Sequence, residues 1–174
     1  MPNSIRPQIP GATIFFTVAL ARQGDDLLCR NIDQLRQSVR ATMAEMPFEI
    51  RAWVVLPDHL HAIWSLPAND HDFSTRWRAI KTRFTKSVGA VRPRSQSKVA
   101  KGEAGLWQRR YWDHHIRGKA DLDTHLRYCW GNPVKHGLVD RATDWPYSSI
   151  HRDIAHGLVE PSWSHQLPPG QFGE

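Results

Sequence analysis

Cysteine is nearly absent from this chain. Cys29 and Cys129 stand alone, a hundred positions apart and with no CxxC pair. That excludes a disulfide framework and points to a reducing, cytoplasmic setting and ordinary packing. Long apolar runs are missing too: the best, Ala52–Leu56, falls far short of the roughly 18 residues of a membrane span. The opening MPNSIRPQIPG is polar and proline-rich, and Ala12–Ala21 lacks a basic flank and a cleavage site, so no signal peptide is expected. At 174 residues the chain is too short for a TIM barrel, which takes about 200 or more, yet long enough for one domain with a real core. Charged residues make up 23% and hydrophobic ones 40%, which excludes wholesale disorder.

Acidic residues are scarce in one place above all. From Thr75 to Lys119 thirteen Lys and Arg face only Glu103 and Asp113, a net of +11, while the whole chain carries +6 and its remainder is therefore −5. One segment holds the entire positive field, and Trp77, Phe84, Trp107, Tyr111 and Trp112 are interleaved with it. Cations that neutralise phosphates, beside aromatic rings that stack bases, suit single-stranded nucleic acid. The plain alternative is a solvated basic face.

Periodicity gives the elements. Thr13–Leu20 is β-branched and aromatic and reads as a strand. Asn31–Met46 reads as a helix, with Asn31 as N-cap and Pro47 as stop. Phe48–Leu56 and His59–Leu66, joined by Pro57-Asp58, read as an antiparallel hairpin. Phe73, Trp77, Ile80, Phe84 and Val88 form one helical stripe from Phe73 to about Gly89. Residues 90–105 read as a polar, basic loop, Leu106–Arg117 as a fourth strand, and Asp121–Asn132 as a last helix. The order β-α-β-β-α-β predicts an α+β, ferredoxin-like fold, an antiparallel sheet with helices on one face and the other free to carry a site. A domain over 1–150 and a tail over 151–174 are expected, the tail pinned by Trp163, Leu167 and Phe172.

The sharpest motif is Pro57-Asp-His59-Leu-His61. Alternation puts His59, His61 and Ile63 on one face of a strand, where two imidazoles can converge on a divalent cation. In the last helix Asn132 follows Tyr128 by one turn, a phenol beside an oxygen ligand, though Pro133 argues for the helix ending there. Two histidines and a carboxamide leave a hard cation with open positions that polarise a phosphodiester, and a phenol can attack phosphorus. Tyr111, between Arg110 and Trp112, reads as part of a strand that binds or packs and is the next candidate nucleophile after Tyr128, while Tyr147 in its proline-rich turn reads as structural. Alternation sends His114 and His115 to opposite faces, which favours hydrogen bonding or DNA contact over metal binding.

Pro57-Asp-His59-Leu-His61 resembles the HUH motif of single-tyrosine DNA transposases. Trp107–Arg117, Tyr128–Val139, Trp145-Pro-Tyr-Ser-Ser149 and the closing Gly-Gln-Phe-Gly-Glu174 follow in order. That succession is similar to the REP-associated tyrosine transposases, relatives of the single-strand insertion-sequence transposases, and it spans nearly the whole chain. The resemblance implies a bacterial, nucleoid-associated enzyme. It would cleave single-stranded DNA near REP-like hairpins through a 5′-phosphotyrosine, using Mg2+ or Mn2+, as a monomer or a homodimer. It further implies His59, His61 and Asn132 as metal ligands and Tyr128 as nucleophile. Arg76, Arg78, Arg83, Lys86, Arg109, Arg110 and Arg117 are expected to contact nucleic acid. Two departures are visible: Asp58 stands where Asn is common, and Cys129-Trp130 replaces a more usual Ile-His pair. The competing readings are a domesticated module that binds structured DNA without catalysis, and a zinc hydrolase built on His59 and His61. The second lacks both a His-Glu-x-x-His helix and cysteine ligands.

Overall fold

A computed structural model describes residues 7–89, 96, 105–164 and 168–174. Strand β1 (Thr13–Ala19) leads into one helical turn, α1 (Leu27–Arg30), and helix α2 (Ile32–Glu45). The hairpin β2 (Glu49–Val55) and β3 (His59–Ser65) follows, then helix α3 (Phe73–Val88) and strand β4 (Trp112–His115). Helix α4 (Lys119–Lys135), a 3-10 turn (Ala142–Asp144) and helix α5 (Ile150–Ala155) complete the order among the described residues. The sheet runs β2-β3-β1-β4 with every pairing antiparallel, the ferredoxin-like arrangement expected from the element order.

Alternation along the strands divides the molecule into two cores. Ile14, Phe16, Val18, Leu60, Ala62 and Trp64 face α2 and α3 and meet the α3 stripe of Phe73, Trp77, Ile80 and Phe84. Trp64 stacks on Trp77 at 4.2 Å and Phe16 tilts onto Trp64 at 4.9 Å. Each such ring contributes about 1.5–3 kcal/mol on burial. The Asp72 side chain caps α3 by accepting from the Thr75 N–H at 2.9 Å. The opposite face of the sheet carries Phe15, Ala52, Val54 and Ile63. It is not open, as the sequence reading had it: α4 lies across it through Tyr128 and Cys129, and Phe172 of the C-terminal segment is buried there too. A register shift between Ile50 and Ala52 lets these residues, two apart, serve different faces.

Three boundaries depart from expectation. The fourth strand is short. Leu106 and Gln108 bond to Ala21 and Ala19, but pairing breaks at the exposed Arg109 and Arg110 and resumes at Trp112. Asn31 does not cap α2: α1 already precedes it, and its amide donates to the Leu27 carbonyl at 2.9 Å. Helix α4 begins at Lys119 and runs through Pro133 to Lys135. Past α4, the Trp130 indole donates to Asp153 at 2.9 Å, and Trp130, Ala142 and Ile150 form a small third core against which Trp163 packs. Arg92, Arg94, Lys98 and Lys101 of the expected loop lie outside the described residues, as does Leu167.

Candidate active site

The two histidines of the motif are held by the turn before β3 and by β1. The Asp58 carboxylate accepts from the Gly24 N–H at 2.6 Å and from His59 Nδ1 at 2.7 Å, which leaves His59 Nε2 pointing inward. Its neighbour His61 is wholly buried, and its Nδ1 lies 2.8 Å from the Thr17 hydroxyl. That hydroxyl donates its one proton to the Phe172 carbonyl at 2.5 Å, so it accepts from His61 Nδ1–H, and His61 Nε2 carries a lone pair. Burial agrees, pushing the His61 pKa down to about 4 and keeping the ring neutral. The ring of Phe15 packs beneath this pair, stacked 5.6 Å from His61 and edge-on to Tyr128 at 6.0 Å.

Helix α4 brings the remaining groups. Asn132 follows Tyr128 by one turn, both are buried, and the Tyr128 ring lies 5.2 Å from His61. Pro133 removes one backbone donor but does not end the helix. The Leu138 N–H bonds back to the Pro133 carbonyl and the Gly137 N–H to that of Val134, with Gly137 at φ +65°. This glycine-closed ending adds the last turn, and with it Lys135 and His136. Lys135 Nζ donates to the Tyr128 hydroxyl at 2.9 Å and pairs with Glu174.

Glu174 is the residue that sequence reasoning missed. The segment before it stacks the Phe172 ring on Tyr128 at 3.7 Å, and the Glu174 carboxylate enters the site. Its Oε1 lies 2.8 Å from His61 Nε2, 3.6 Å from His59 Nε2 and 3.3 Å from His136 Nε2, and accepts from Asn132 Nδ2 at 3.0 Å. Burial opposes the charge on Glu174, but His136, His59, His61 and Lys135 around it hold its pKa far below the carboxylate range. For His59, burial is likewise outweighed, by the carboxylates of Glu174 and Asp58, and its pKa rises. The Tyr128 phenol goes up, first through burial and then through the neighbouring Glu174 charge. The signal for Glu174 was present in the closing Gly-Gln-Phe-Gly-Glu, which was read as part of a resemblance and not as a ligand.

The donor set fits a divalent cation. His59, His61 and Glu174 bring ligand atoms within 4.8 Å of one another. His59 Nε2 and Asn132 Oδ1 are buried without a hydrogen-bond partner. The lone pair of His61 Nε2 faces a carboxylate oxygen at 2.8 Å, an arrangement of acceptors that asks for a positive centre between them. A second cluster, His114, Asp121 and His125, also comes within 4.8 Å. There Asp121 accepts from His114 Nε2 at 2.9 Å and from the Arg117 N–H at 2.8 Å, and the His114 ring stacks on His125 at 4.6 Å, tying β4 to α4. His115 points to the other face, toward Phe73, as alternation requires.

The basic residues separate. Arg109, Arg110 and Arg117 are exposed beside β4, and Arg78 and Lys86 are exposed on α3, in the layer on the far side of the sheet from His59 and His61. Arg76 corrects the expectation of an exposed contact. It is 2% exposed, pairs with Asp70 at 2.7 Å and donates to the carbonyls of Met46, Pro47 and Asp72. It joins α3 to the end of α2, because its position borders the apolar stripe. Half-buried Arg83 is also engaged within the fold, with Thr42 and Glu45 of α2.

No family model matches the chain. An Escherichia coli K12 protein named REP-associated tyrosine transposase is 42% identical over 169 residues, covering 97% of this chain and 94% of that one. A Haemophilus influenzae protein given the same description in provisional form is 38% identical, over 94% of this chain and 93% of its own. Among solved structures, a REP-associated tyrosine transposase bound to a REP hairpin superposes with a TM-score of 0.90 at 41% identity, covering all of this chain and 98% of that one.

Proposed function

The chain belongs to the REP-associated tyrosine transposases, and we propose that this DNA transposase cleaves and rejoins single-stranded DNA beside REP-like hairpins through a 5′-phosphotyrosine on Tyr128. The observation that carries the reading is the convergence of a buried phenol with the wholly buried His61, the inward-facing Nε2 of His59 and an amide oxygen that lacks a partner. His59 and His61 would hold Mg2+ or Mn2+, with Asn132 Oδ1 or the Glu174 carboxylate as a third ligand. Bound there, the cation would polarise the non-bridging oxygens of the phosphodiester.

Each residue then has a task. Asp58 and Thr17 fix the tautomers of His59 and His61 so that both Nε2 atoms face the site. Tyr128 Oη forms a bond to phosphorus and its proton leaves to water. The bond from phosphorus to the 3′ oxygen breaks, and that oxygen takes up a proton and departs as a hydroxyl. A new 3′-hydroxyl attacking the phosphotyrosine reverses the step and rejoins the strand. Lys135 Nζ holds the attacking oxygen in place. Because Glu174 accepts from Lys135 Nζ and Asn132 Nδ2, donors that a phosphate would also meet, its carboxylate must yield when DNA enters. Arg109, Arg110 and Arg117, exposed beside β4, would contact the strand near the site, while Arg78 and Lys86 would hold phosphates elsewhere on the molecule.

The test is incubation with labelled hairpin-bearing single strands and Mn2+ or Mg2+, followed by denaturing electrophoresis. A slow-migrating protein–DNA species is expected from the native chain, with none in EDTA and none from Tyr128→Phe, which should still bind the hairpin. An adduct that survives Tyr128→Phe overturns the nucleophile. Hairpin binding with no adduct under either metal would favour the module that binds without cutting.

A further inference from the structure

Of the five aromatic residues interleaved with the basic segment, the fold buries two and partly buries two more. Trp77 and Phe84 are core, Trp107 packs on Phe84 at 5.5 Å, and Tyr111 packs on Phe16 with its hydroxyl 3.1 Å from Ser74. Trp112 is left 42% exposed. It sits on the edge strand, opposite Thr17, whose hydroxyl orients His61. Opposed residues of antiparallel strands share a face, so the indole stands on the Tyr128 side of the sheet. Trp112, Tyr128 and Lys135 line one cleft of about 350 Å³, closed from above by Gly170–Glu174.

The cover over that ring has a particular form. Gly173 lies flush against it at φ +77°, where an added Cβ would stand 2.3 Å from both Cβ and Cγ of Trp112. A bare stretch of backbone therefore occupies the surface. Arg110 and Arg117, which flank β4 in the chain, are exposed, and Lys135 lines the cleft. An exposed indole with cations around it, one cleft from a nucleophilic phenol, matches an unpaired nucleotide: the base has a face to stack and its phosphates find positive charge.

We propose that Trp112 is the stacking platform for the unpaired base adjoining the phosphate that Tyr128 attacks, on the surface Gly173 covers here. The inference rests on the reading of Tyr128 as nucleophile. Stacking is indifferent to base identity, so the platform supplies position more than sequence preference.

The test pairs a protein change with a DNA change. An abasic nucleotide is placed in turn at each unpaired position flanking the hairpin, and adduct formation is timed with the native chain, Trp112→Ala and Trp112→Phe. At one position the abasic site should slow the native chain about 5- to 150-fold, the range that base–aromatic stacking supplies. Trp112→Ala should be slowed by a similar factor on intact DNA and lose nothing further on that abasic strand, whereas Trp112→Phe should recover most of the rate. The salt dependence of hairpin binding should not change, because no phosphate contact is removed. Trp112→Leu, which keeps apolar bulk without a ring, guards against a folding defect and should behave as Trp112→Ala does. Losses that simply add at every position, or full activity of Trp112→Leu, overturn the platform. An adduct that depends on Tyr128 but ignores Trp112 removes the platform alone, while one that survives Tyr128→Phe removes the active-site reading beneath it.

Discussion

One sheet presents two different surfaces, one to α2 and α3 and the other to α4. Toward α2 and α3 it offers Phe16, Leu60, Ala62 and Trp64, joined by Trp77 and Phe84 in a core of interlocked rings. Toward α4 the alternate residues include Thr17, His59 and His61, and the buried polar atoms His59 Nε2 and Asn132 Oδ1 go without partners. A residue step along one strand separates a surface of packed aromatic and aliphatic side chains from one that gathers imidazoles, an amide and a carboxylate. Burial of the apolar layer offsets the cost of holding ionisable groups in the polar one, since burying charged and polar atoms opposes folding. Stability and chemistry are thus assigned to opposite sides of one sheet.

Breaking each side should give opposite phenotypes. On the α4 side, His61→Ala should lower adduct formation by more than about 100-fold, beyond what outer-shell partners of a metal site usually cost. Its urea midpoint should stay close to the native one. A variant that unfolds before it loses chemistry would erase the distinction between the faces. On the other side, Trp64→Ala should cost about 3–5 kcal/mol in chemical denaturation, as large aromatic truncations in cores do. Arg76→Met sharpens the comparison further. It should cost about 2 kcal/mol by stranding Asp70 and three carbonyls, while hairpin affinity and its salt slope stay unchanged. A flatter salt slope would return Arg76 to the DNA contacts.

The smallest expected effect is on pH dependence, measured without metal. His61 titrates near 6.5 when unfolded and near 4 when folded, so below pH 6.5 the unfolded chain binds a proton the folded chain does not. Stability should therefore fall as pH drops from 6.5 to 4, by at most about 1.4 kcal/mol per unit from this group. The raised pKa of His59 works in the opposite sense: its contribution is present below the unfolded value and lost as pH rises. Comparing melting temperatures of the native chain and His61→Gln isolates the first effect, and the variant should show the shallower fall. Equal slopes would contradict a neutral, buried His61.

Much of this was legible in the residues. Period-two alternation put His59, His61 and Ile63 on one face and Leu60, Ala62 and Trp64 on the other, and the sheet keeps that division. The α3 stripe is core as read. What periodicity could not reveal depends on contacts between distant segments. Pro133 looked like a stop because its local preference opposes a helix, yet Gly137 two residues past Lys135 closes a further turn. Arg76 reads as a nucleic-acid contact because it lies off the apolar stripe, and only the fold brings Asp70 and the end of α2 to it. Glu174 lies 113 positions from His61, so no local pattern links the two. The aromatic signal in the basic segment was real but unsorted, because composition cannot tell a core ring from an exposed one.

The ring of Phe15 touches His61, His125, Tyr128 and Phe172. It serves as a gauge block between a strand that holds the imidazoles and a helix that holds the phenol. On the proposed mechanism, the gap across which phosphorus would fit is machined by a buried hydrocarbon ring. Shortening that spacer would not silence any reactive group; it would bring them to the wrong separation, so that an alteration in an oily interior is felt as a fault of reach.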